Sequence, residues 1–211
     1  MIQKKRFWGA LALVLVTSGA QAAVDKSFRA SEILSLPEEN RKVVFKEKGT
    51  DIYGSILVLA DSDATPMSLR WKAINSLAQI DQKKAVPNLL KIAKSKVWHA
   101  RNASLVALQT VNSEKAKTVA GTLLFDPALV VRSAAVEVLK SYSDSVVREQ
   151  LWEALQHPQN FRKGKSLWVR RQIAHALAQY PKMYEQELFE RMSRDADPRV
   201  RAYGTVAKKT Y

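Results

Sequence analysis

Apolar side chains recur along most of this chain three or four residues apart, which is the spacing of one face of an α-helix. The segment 131–142 shows the pattern clearly, because Val131, Ala135, Leu139 and Tyr142 fall on one helical face. Short turns that contain Asp, Pro or Ser separate such segments. The pattern predicts an all-α chain of amphipathic helices joined by tight turns.

The same helical pattern occurs five times, each time around an arginine. The five stretches are LRWKAINSLAQI (69–80), ARNASLVALQTV (100–111), VRSAAVEVLKSY (131–142), VRRQIAHALAQY (169–180) and VRAYGTVAKKTY (200–211). Their arginines, Arg70, Arg101, Arg132, Arg170 and Arg201, are 31, 31, 38 and 31 residues apart. A second amphipathic segment precedes each stretch, at 51–61, 84–95, 114–125, 145–156 and 183–194. This period predicts stacked helical hairpins, since one hairpin cannot bury its apolar face alone.

Positions counted from each arginine predict which side of the second helix is buried. The −1, +3, +7 and +10 positions share one face, and the +3 and +6 positions carry mostly small side chains that let helices approach closely. In the last stretch the +7 position is Lys208 and Lys209 follows it. A polar final repeat is what a stack of hairpins needs at its end to stay soluble.

Two of these stretches, DPALVVRSAAVEVL (126–139) and DADPRVRAYGTVA (195–207), resemble HEAT repeats, in particular the short HEAT-like repeats first named from phycobilisome lyases. The resemblance covers about residues 50–211. It implies a right-handed α-solenoid of about five hairpins, with the Val-Arg helix lining the concave side. It also implies a structural ladder in which the five arginines pair with aspartates of their own or adjacent turns. The expected pairs are Arg132 with Asp126, and Arg201 with Asp195 or Asp197, whereas Arg101 has no aspartate in its own turn.

The N-terminus has the three-part plan of a secretory signal peptide. Lys4, Lys5 and Arg6 precede an apolar run at 7–16, and small residues follow up to a cleavage pattern at Ala20 and Ala22. We expect residues 1–22 to be a cleaved signal peptide and the protein to be periplasmic or secreted. An uncleaved anchor or a buried first helix is the alternative. The domain prediction is then a capping segment at 23–50 and a HEAT-like repeat domain at 51–211.

The chain is strongly basic and has no cysteine. Its formal charge of +14 falls to +11 when residues 1–22, which hold three positive charges, are removed. A field of this sign favours acidic partners, such as an acidic protein, an anionic polymer, a lipid surface or nucleic acid, although excess cations can also serve only solubility. The absence of cysteine excludes disulfides and thiolate metal sites.

One seven-residue insertion interrupts the period, within QHPQNFRKGKSLW (156–168). It places Arg162, Lys163 and Lys165 between the aromatic residues Phe161 and Trp168. Insertions in repeat proteins form loops, and basic residues among aromatics fit contact with an acidic partner or a membrane surface. An ordinary solvated loop is the alternative interpretation.

The +1 and +5 positions of the second helices are expected to face the concave side. Among them Trp71, Asn75, Arg171 and His175 are the candidate contacts. Trp71 stands out, since an exposed tryptophan often marks a binding hot spot. The same side chain could instead pack over the N-terminal cap.

Motifs of known catalysis are missing from the sequence. Three histidines stand apart from metal-ligand spacing, and neither a glycine-rich phosphate loop nor a G-x-S-x-G or S-x-x-K motif occurs. We therefore expect a non-enzymatic scaffold or adaptor that binds a protein partner, with no cofactor and no metal. An electrostatic binder of an anionic envelope polymer, a lipid surface or nucleic acid is the alternative. An enzyme with an unfamiliar site is a third hypothesis.

Overall fold

The computed structural model describes residues 29–210, which fall into two compact units with the boundary after Gln82. The predicted signal peptide at 1–22, the start of the predicted capping segment at 23–28, and Tyr211 lie outside the described residues. Within the described part, no helix has both the length and the apolar character needed to cross a bilayer.

The first unit is built around a helical hairpin. Residues 29–35 are helical (α1), α2 spans Glu38–Asp61 and α3 spans Met67–Ile80. The hairpin buries apolar side chains from both α2 and α3, namely Phe45, Tyr53, Ile56, Ala60, Ala73, Ile74 and Leu77. Helix α2 runs without a break through residues 50 and 51, where the sequence analysis places a domain boundary. One glycine and no proline in KEKGTD (46–51) are too little to end a packed helix.

The second unit contains four consecutive helix pairs. The first helices are α4 (Gln82–Ile92), α6 (Ser113–Leu123), α8 (Ser145–Gln156) and α10 (Gln186–Met192); the second helices are α5 (Trp98–Val111), α7 (Leu129–Leu139), α9 (Trp168–Gln179) and α11 (Pro198–Lys208). Helices α6, α8 and α10 pack against the second helix that follows each of them, and α5, α7, α9 and α11 pack against one another in order. Among the described residues, these pairs and the α2–α3 hairpin are the five predicted hairpins, and the all-α prediction is confirmed.

The predicted buried face is confirmed at its central positions. The +3 position is buried in all five second helices, as Ala73, Ser104, Ala135, Ile173 and Gly204, and the +7 leucines 77, 108, 139 and 177 are 0 % exposed. A Cβ added at Gly204 would lie 2.6 Å from the Met192 carbonyl carbon, so only glycine lets α10 and α11 approach this closely. The +10 position differs from the prediction, because Tyr180 there is 52 % exposed.

The insertion folds into a small antiparallel ribbon, an exception to the all-α prediction. Strand β1 (Phe161–Arg162) pairs with β2 (Lys165–Ser166), with Phe161 opposite Ser166 and Arg162 opposite Lys165. Lys163 and Gly164 form the two-residue turn with φ of 51° and 73°. Positive φ at both positions is the geometry of a type I′ hairpin turn. A 3₁₀ turn at Pro158–Asn160 leads into the ribbon.

Candidate functional site

The five ladder arginines bind backbone carbonyls in the last turn of the first helix or in the connection of their own hairpin. Helix ends leave carbonyls without an intrahelical partner, and a guanidinium can satisfy several of them at once. The donor–acceptor distances are 2.9 Å for Arg70 Nε to Ala60, 2.8 Å for Arg101 Nη1 to Ser95, 2.7 Å for Arg132 Nη1 to Asp126, 2.9 Å for Arg170 Nε to Leu155, and 2.7 Å for Arg201 Nη1 to Asp195. In the first unit, Arg70 also reaches the Asp63 carboxylate at 2.6 Å.

Two of the arginines in the second unit also bind a carboxylate 25 residues further along the chain. Arg101 places Nε 2.6 Å from Asp126 Oδ2 and Nη2 2.7 Å from Asp126 Oδ1. Arg170 binds Asp195 in the same two-pronged way, with Nη1 2.8 Å from Oδ1. Each pair ties a second helix to the turn of the following hairpin. Arg101, to which the sequence assigned no partner, therefore holds the carboxylate that was expected to serve Arg132.

Arg132 has neutral partners where Arg101 and Arg170 have carboxylates. Its Nε donates to Asn160 Oδ1 at 2.9 Å and its Nη2 to the Gln159 carbonyl at 2.9 Å. Asn160 is 0 % exposed, and its own amide donates to the Ala154 carbonyl at 2.7 Å. Burial lowers the pKa of the Arg132 guanidinium, and the charge of Asp126 only partly offsets that effect. The start of the insertion thus supplies this rung of the ladder.

The last turn divides its two aspartates between neighbouring arginines. Asp197 Oδ2 accepts from Arg171 Nε at 2.9 Å, and Asp197 Oδ1 caps α11 by accepting from the Arg199 amide at 2.9 Å. Burial raises the pKa of Asp197, but the bonds from Arg171, the Arg199 amide and Ser166 outweigh it, so the net pKa is below the ordinary value. Arg201 binds the Asp195 carbonyl and neither carboxylate.

The ribbon lies against the ladder and exposes its basic side chains. The guanidinium of Arg170 sits over the Phe161 ring, 4.5 Å from its centroid, and Arg170 Nη1 donates to Ser166 Oγ at 2.8 Å. Arg162, Lys163 and Lys165 are exposed. A cavity of about 460 Å³ separates the ribbon from the 195–198 turn. The ribbon is therefore anchored at its base and open at its tip.

A groove of about 270 Å³ lies beside the ribbon, between the second helices α7, α9 and α11. Its lining includes Trp168, Arg171 and His175 of α9, Tyr203 of α11 and Glu137 of α7. The rings of His175 and Tyr203 contact each other at a tilt of 43°, with their centroids 5.1 Å apart, and Trp168 is 56 % exposed. Arg171 lines both the groove and the ribbon cavity. Seven of the nine predicted contacts thus lie in one region of the second unit. They are Phe161, Arg162, Lys163, Lys165, Trp168, Arg171 and His175, with Lys163 at the tip of the ribbon.

The remaining predicted contacts, Trp71 and Asn75, belong to α3 of the first unit. Both side chains are half-buried, and the Asn75 amide donates to the Trp71 carbonyl at 2.8 Å. Asn75 is thus partly committed to its own helix. Both residues remain predicted contacts of the first unit.

Sequence reasoning missed a buried charged cluster on the first-helix side of the second unit. Arg148 Nε donates to Glu185 Oε1 at 2.6 Å, and Trp152 Nε1 donates to the same oxygen at 2.9 Å. Arg148 and Glu185 are each 1 % exposed. No sequence pattern joins residues 37 positions apart, so only the tertiary structure reveals the pair. The cluster is buried and joins α8 to the 3₁₀ turn at Met183–Glu185, which precedes α10, instead of lining a surface.

Residues 29–210 contain no group of three or more His, Asp or Glu side chains placed to hold a metal ion. The carboxylates nearest the ribbon are engaged by Arg170 and Arg171. In contrast, Arg162, Lys163, Lys165 and Arg199 form no ion pair with a described residue. The exposed cations and aromatic rings of this region are therefore suited to binding a ligand.

Comparison with known proteins agrees with this architecture. Residues 56–140 match a family model described as HEAT repeats. No curated protein matches the chain. A designed armadillo repeat protein in complex with the peptide (KR)4 is similar over 87% of this chain and 90% of its own, with a TM-score of 0.51 and 14% identity. A computationally designed armadillo repeat protein for modular peptide recognition is similar over the same shares, with a TM-score of 0.53 and 14% identity. This chain accordingly has a helical repeat fold of the HEAT and armadillo type, and its residues 56–140 match the model of HEAT repeats.

Proposed function

We propose that this protein is an exported, non-enzymatic scaffold that binds a protein partner through its second helices and the 161–166 ribbon. The observation that carries the proposal is the groove between α7, α9 and α11, where the exposed Trp168 adjoins the contacting rings of His175 and Tyr203. Aromatic side chains exposed in a cleft are the usual anchors of protein interfaces. The designed armadillo protein in complex with (KR)4 supports a peptide-binding use of this fold.

Export is the second element of the proposal. It rests on the signal-peptide pattern of residues 1–22. The expected result is a mature protein that begins at Ala23 and is found in the periplasmic or secreted fraction. Recovery of the intact N-terminus in the cytoplasm would contradict it. The kinship of the repeats to the short phycobilisome-lyase type remains a prediction from the sequence.

The test of the binding function starts with a partner identified by affinity capture and then purified. Titration of the purified partner should show that Trp168→Ala weakens binding by about tenfold or more, the loss typical of a hot spot. Tyr184→Ala is the matched control, because Tyr184 is 70 % exposed and precedes α10 on the other helix layer. Equal affinities for the two variants would contradict use of the groove.

Electrostatic binding of an anionic polymer, lipid or nucleic acid is the second candidate function. The cations of the ribbon, which lack acidic partners among the described residues, favour it. Such binding must weaken steeply as salt rises, because counterions compete with the charges. Affinity for heparin or anionic vesicles that stays constant from low to high salt would exclude this candidate.

A further inference from the structure

The tip of the ribbon breaks two local rules of hairpin stability. Arg162 lies directly opposite Lys165, and like charges at opposite strand positions repel each other. Lys163 has φ of 51°, a conformation that favours Gly, Asn or Asp at this turn position. Departures of this kind are retained where they serve a function. The stability of the fold therefore does not explain why three cations lie at the tip.

The base of the ribbon is held rigidly, so the cations are presented and not merely solvated. Asn160 is fully buried between Arg132 and the Ala154 carbonyl, and its own carbonyl accepts from the Leu167 amide at 2.9 Å. Phe161 packs beneath the Arg170 guanidinium. A preorganised group of charges binds with a smaller entropy loss than a mobile loop.

Charge complementarity defines the occupant. The tip carries three exposed cations and Arg199 adds a fourth, none of them paired with a described acid. The carboxylates of the two cavities next to the tip are already paired with cations, whereas the groove also presents the aromatic side chains of Trp168 and Tyr203. A uniform polyanion has no apolar groups to place against these aromatic side chains. A peptide can place acidic side chains over the tip and uncharged ones beside Trp168.

We propose that the ribbon tip is a carboxylate-binding element that recognises an acidic, extended segment of the partner protein. The inference rests on the proposed protein-binding function and adds the chemical class of the segment. Arg162, Lys163 and Lys165 receive its acidic side chains, and the groove beside Trp168 receives its apolar ones. Carboxylates that bind at the tip reduce the repulsion between Arg162 and Lys165, so binding stabilises the ribbon.

The experiment compares two variants that remove the same charge. The ribbon variant is Arg162→Gln, Lys163→Asn and Lys165→Gln; the matched control is Lys83→Gln, Lys94→Gln and Lys115→Gln, three exposed lysines of the same unit. The probes are a fluorescein-labelled (Glu-Ala)6 peptide, the matching (Gln-Ala)6 peptide, a DNA duplex and phosphatidylglycerol vesicles. The ribbon variant should bind (Glu-Ala)6 about tenfold more weakly than the wild type, and the control less than about twofold more weakly.

Several results would overturn the inference. Equal losses in the two variants would mean that only net charge matters. A ribbon-dependent loss as large for DNA or vesicles as for (Glu-Ala)6 would identify a polyanion or a membrane as the occupant. Equal binding of (Gln-Ala)6 and (Glu-Ala)6 would show that carboxylates are not recognised.

Stability gives an independent readout. Because Asn tolerates the left-handed turn and the like-charge pair is gone, the urea midpoint of the ribbon variant should equal or exceed that of the wild type. A clearly lower midpoint would assign the cations a structural role and overturn the inference. If the purified partner requires Trp168 but binds the ribbon variant normally, the proposed function stands and the inference on the ribbon fails.

Discussion

The regular turn at 124–128 and the inserted connection at 157–167 each supply hydrogen-bond acceptors to a ladder arginine, but they do so with different groups. In the regular turn, the buried carboxylate of Asp126 receives both prongs of Arg101, which lies 25 residues earlier. The position 25 residues after Arg132 is His157, and there the chain inserts a 3₁₀ turn that brings Asn160 to the guanidinium instead. Shape and hydrogen bonding are preserved, but the compensating charge is lost.

The difference shows that neutral hydrogen-bond acceptors can replace a carboxylate at a ladder position when another carboxylate lies nearby. A buried guanidinium that keeps its donors satisfied avoids most of the penalty of an unpaired polar group. Among residues 29–210, Asp126 supplies the negative charge near Arg132, and this charge raises the pKa of Arg132 against the effect of burial. Asp126 thus serves two arginines, and the inserted connection is free to carry the ribbon.

The largest effect is expected for Asp126→Asn, which breaks the regular turn. It removes the charge partner of Arg101 and the counter-charge near Arg132, and leaving a buried charge unpaired costs about 3 kcal/mol or more. Urea denaturation should show the loss of unfolding free energy. Asp144→Asn is the control, because Asp144 is an exposed cap of α8 and asparagine caps equally well. A loss below about 1 kcal/mol for Asp126→Asn would mean that the charge is not needed.

The inserted connection is tested next by Asn160→Ala. The substitution removes the acceptor of Arg132 and the donor to Ala154 from a fully buried site, so a loss of about 2 kcal/mol is expected. The exposed neighbour provides the control, since Gln159 contributes only its backbone carbonyl to Arg132 and Gln159→Ala should change little. Similar unfolding free energies for the two variants would show that the Asn160 side chain does not stabilise the fold through Arg132.

A smaller and pH-dependent effect is expected for Asp195→Asn, which tests the second carboxylate pair. Burial raises the pKa of Asp195, but the hydrogen bonds from Arg170 and the Asp197 amide outweigh burial. The pKa of Asp195 is therefore below its ordinary value of 3.8. The stabilisation is therefore complete above that ordinary value and is lost as the pH falls through the lower folded-state pKa. The variant should lose about 1–2 kcal/mol at neutral pH, and the gap to the wild type should close below about pH 4. A gap independent of pH would contradict an ionised pair.

The smallest effect is expected for Phe161→Leu, which keeps an apolar side chain at the base of the ribbon but removes the ring beneath Arg170. Cation–π contacts at partly exposed sites contribute about 0.5–1 kcal/mol, so the unfolding free energy should fall by no more than this. Phe161→Tyr retains the ring and serves as the control. Loss of the ribbon, seen as a change in protease sensitivity at 162–165, would show that the ring does more than this contact.

Particular residues show how far the sequence could go. The period of the Val-Arg pairs located the second helices and the buried +3 and +7 positions, because helical periodicity is a local property of the chain. The spacing of 25 residues between Arg101 and Asp126, and between Arg170 and Asp195, was present in the sequence and would have identified the two-pronged pairs. The expected pairing of Arg132 with the Asp126 carboxylate followed from proximity along the chain, and Arg101 occupies that carboxylate in the structure.

By itself the sequence determined the all-α hairpin repeat, the position of the insertion and the basic, aromatic character of residues 161–168. Only the tertiary structure decided that the insertion forms a ribbon, that Asn160 completes the ladder, and that Glu137, Arg199 and Tyr203 join Trp168 and His175 in one groove. The physical reason is range. Apolar periodicity depends on residues that are close in sequence. The acceptors of a buried guanidinium, in contrast, are brought together by packing from distant parts of the chain.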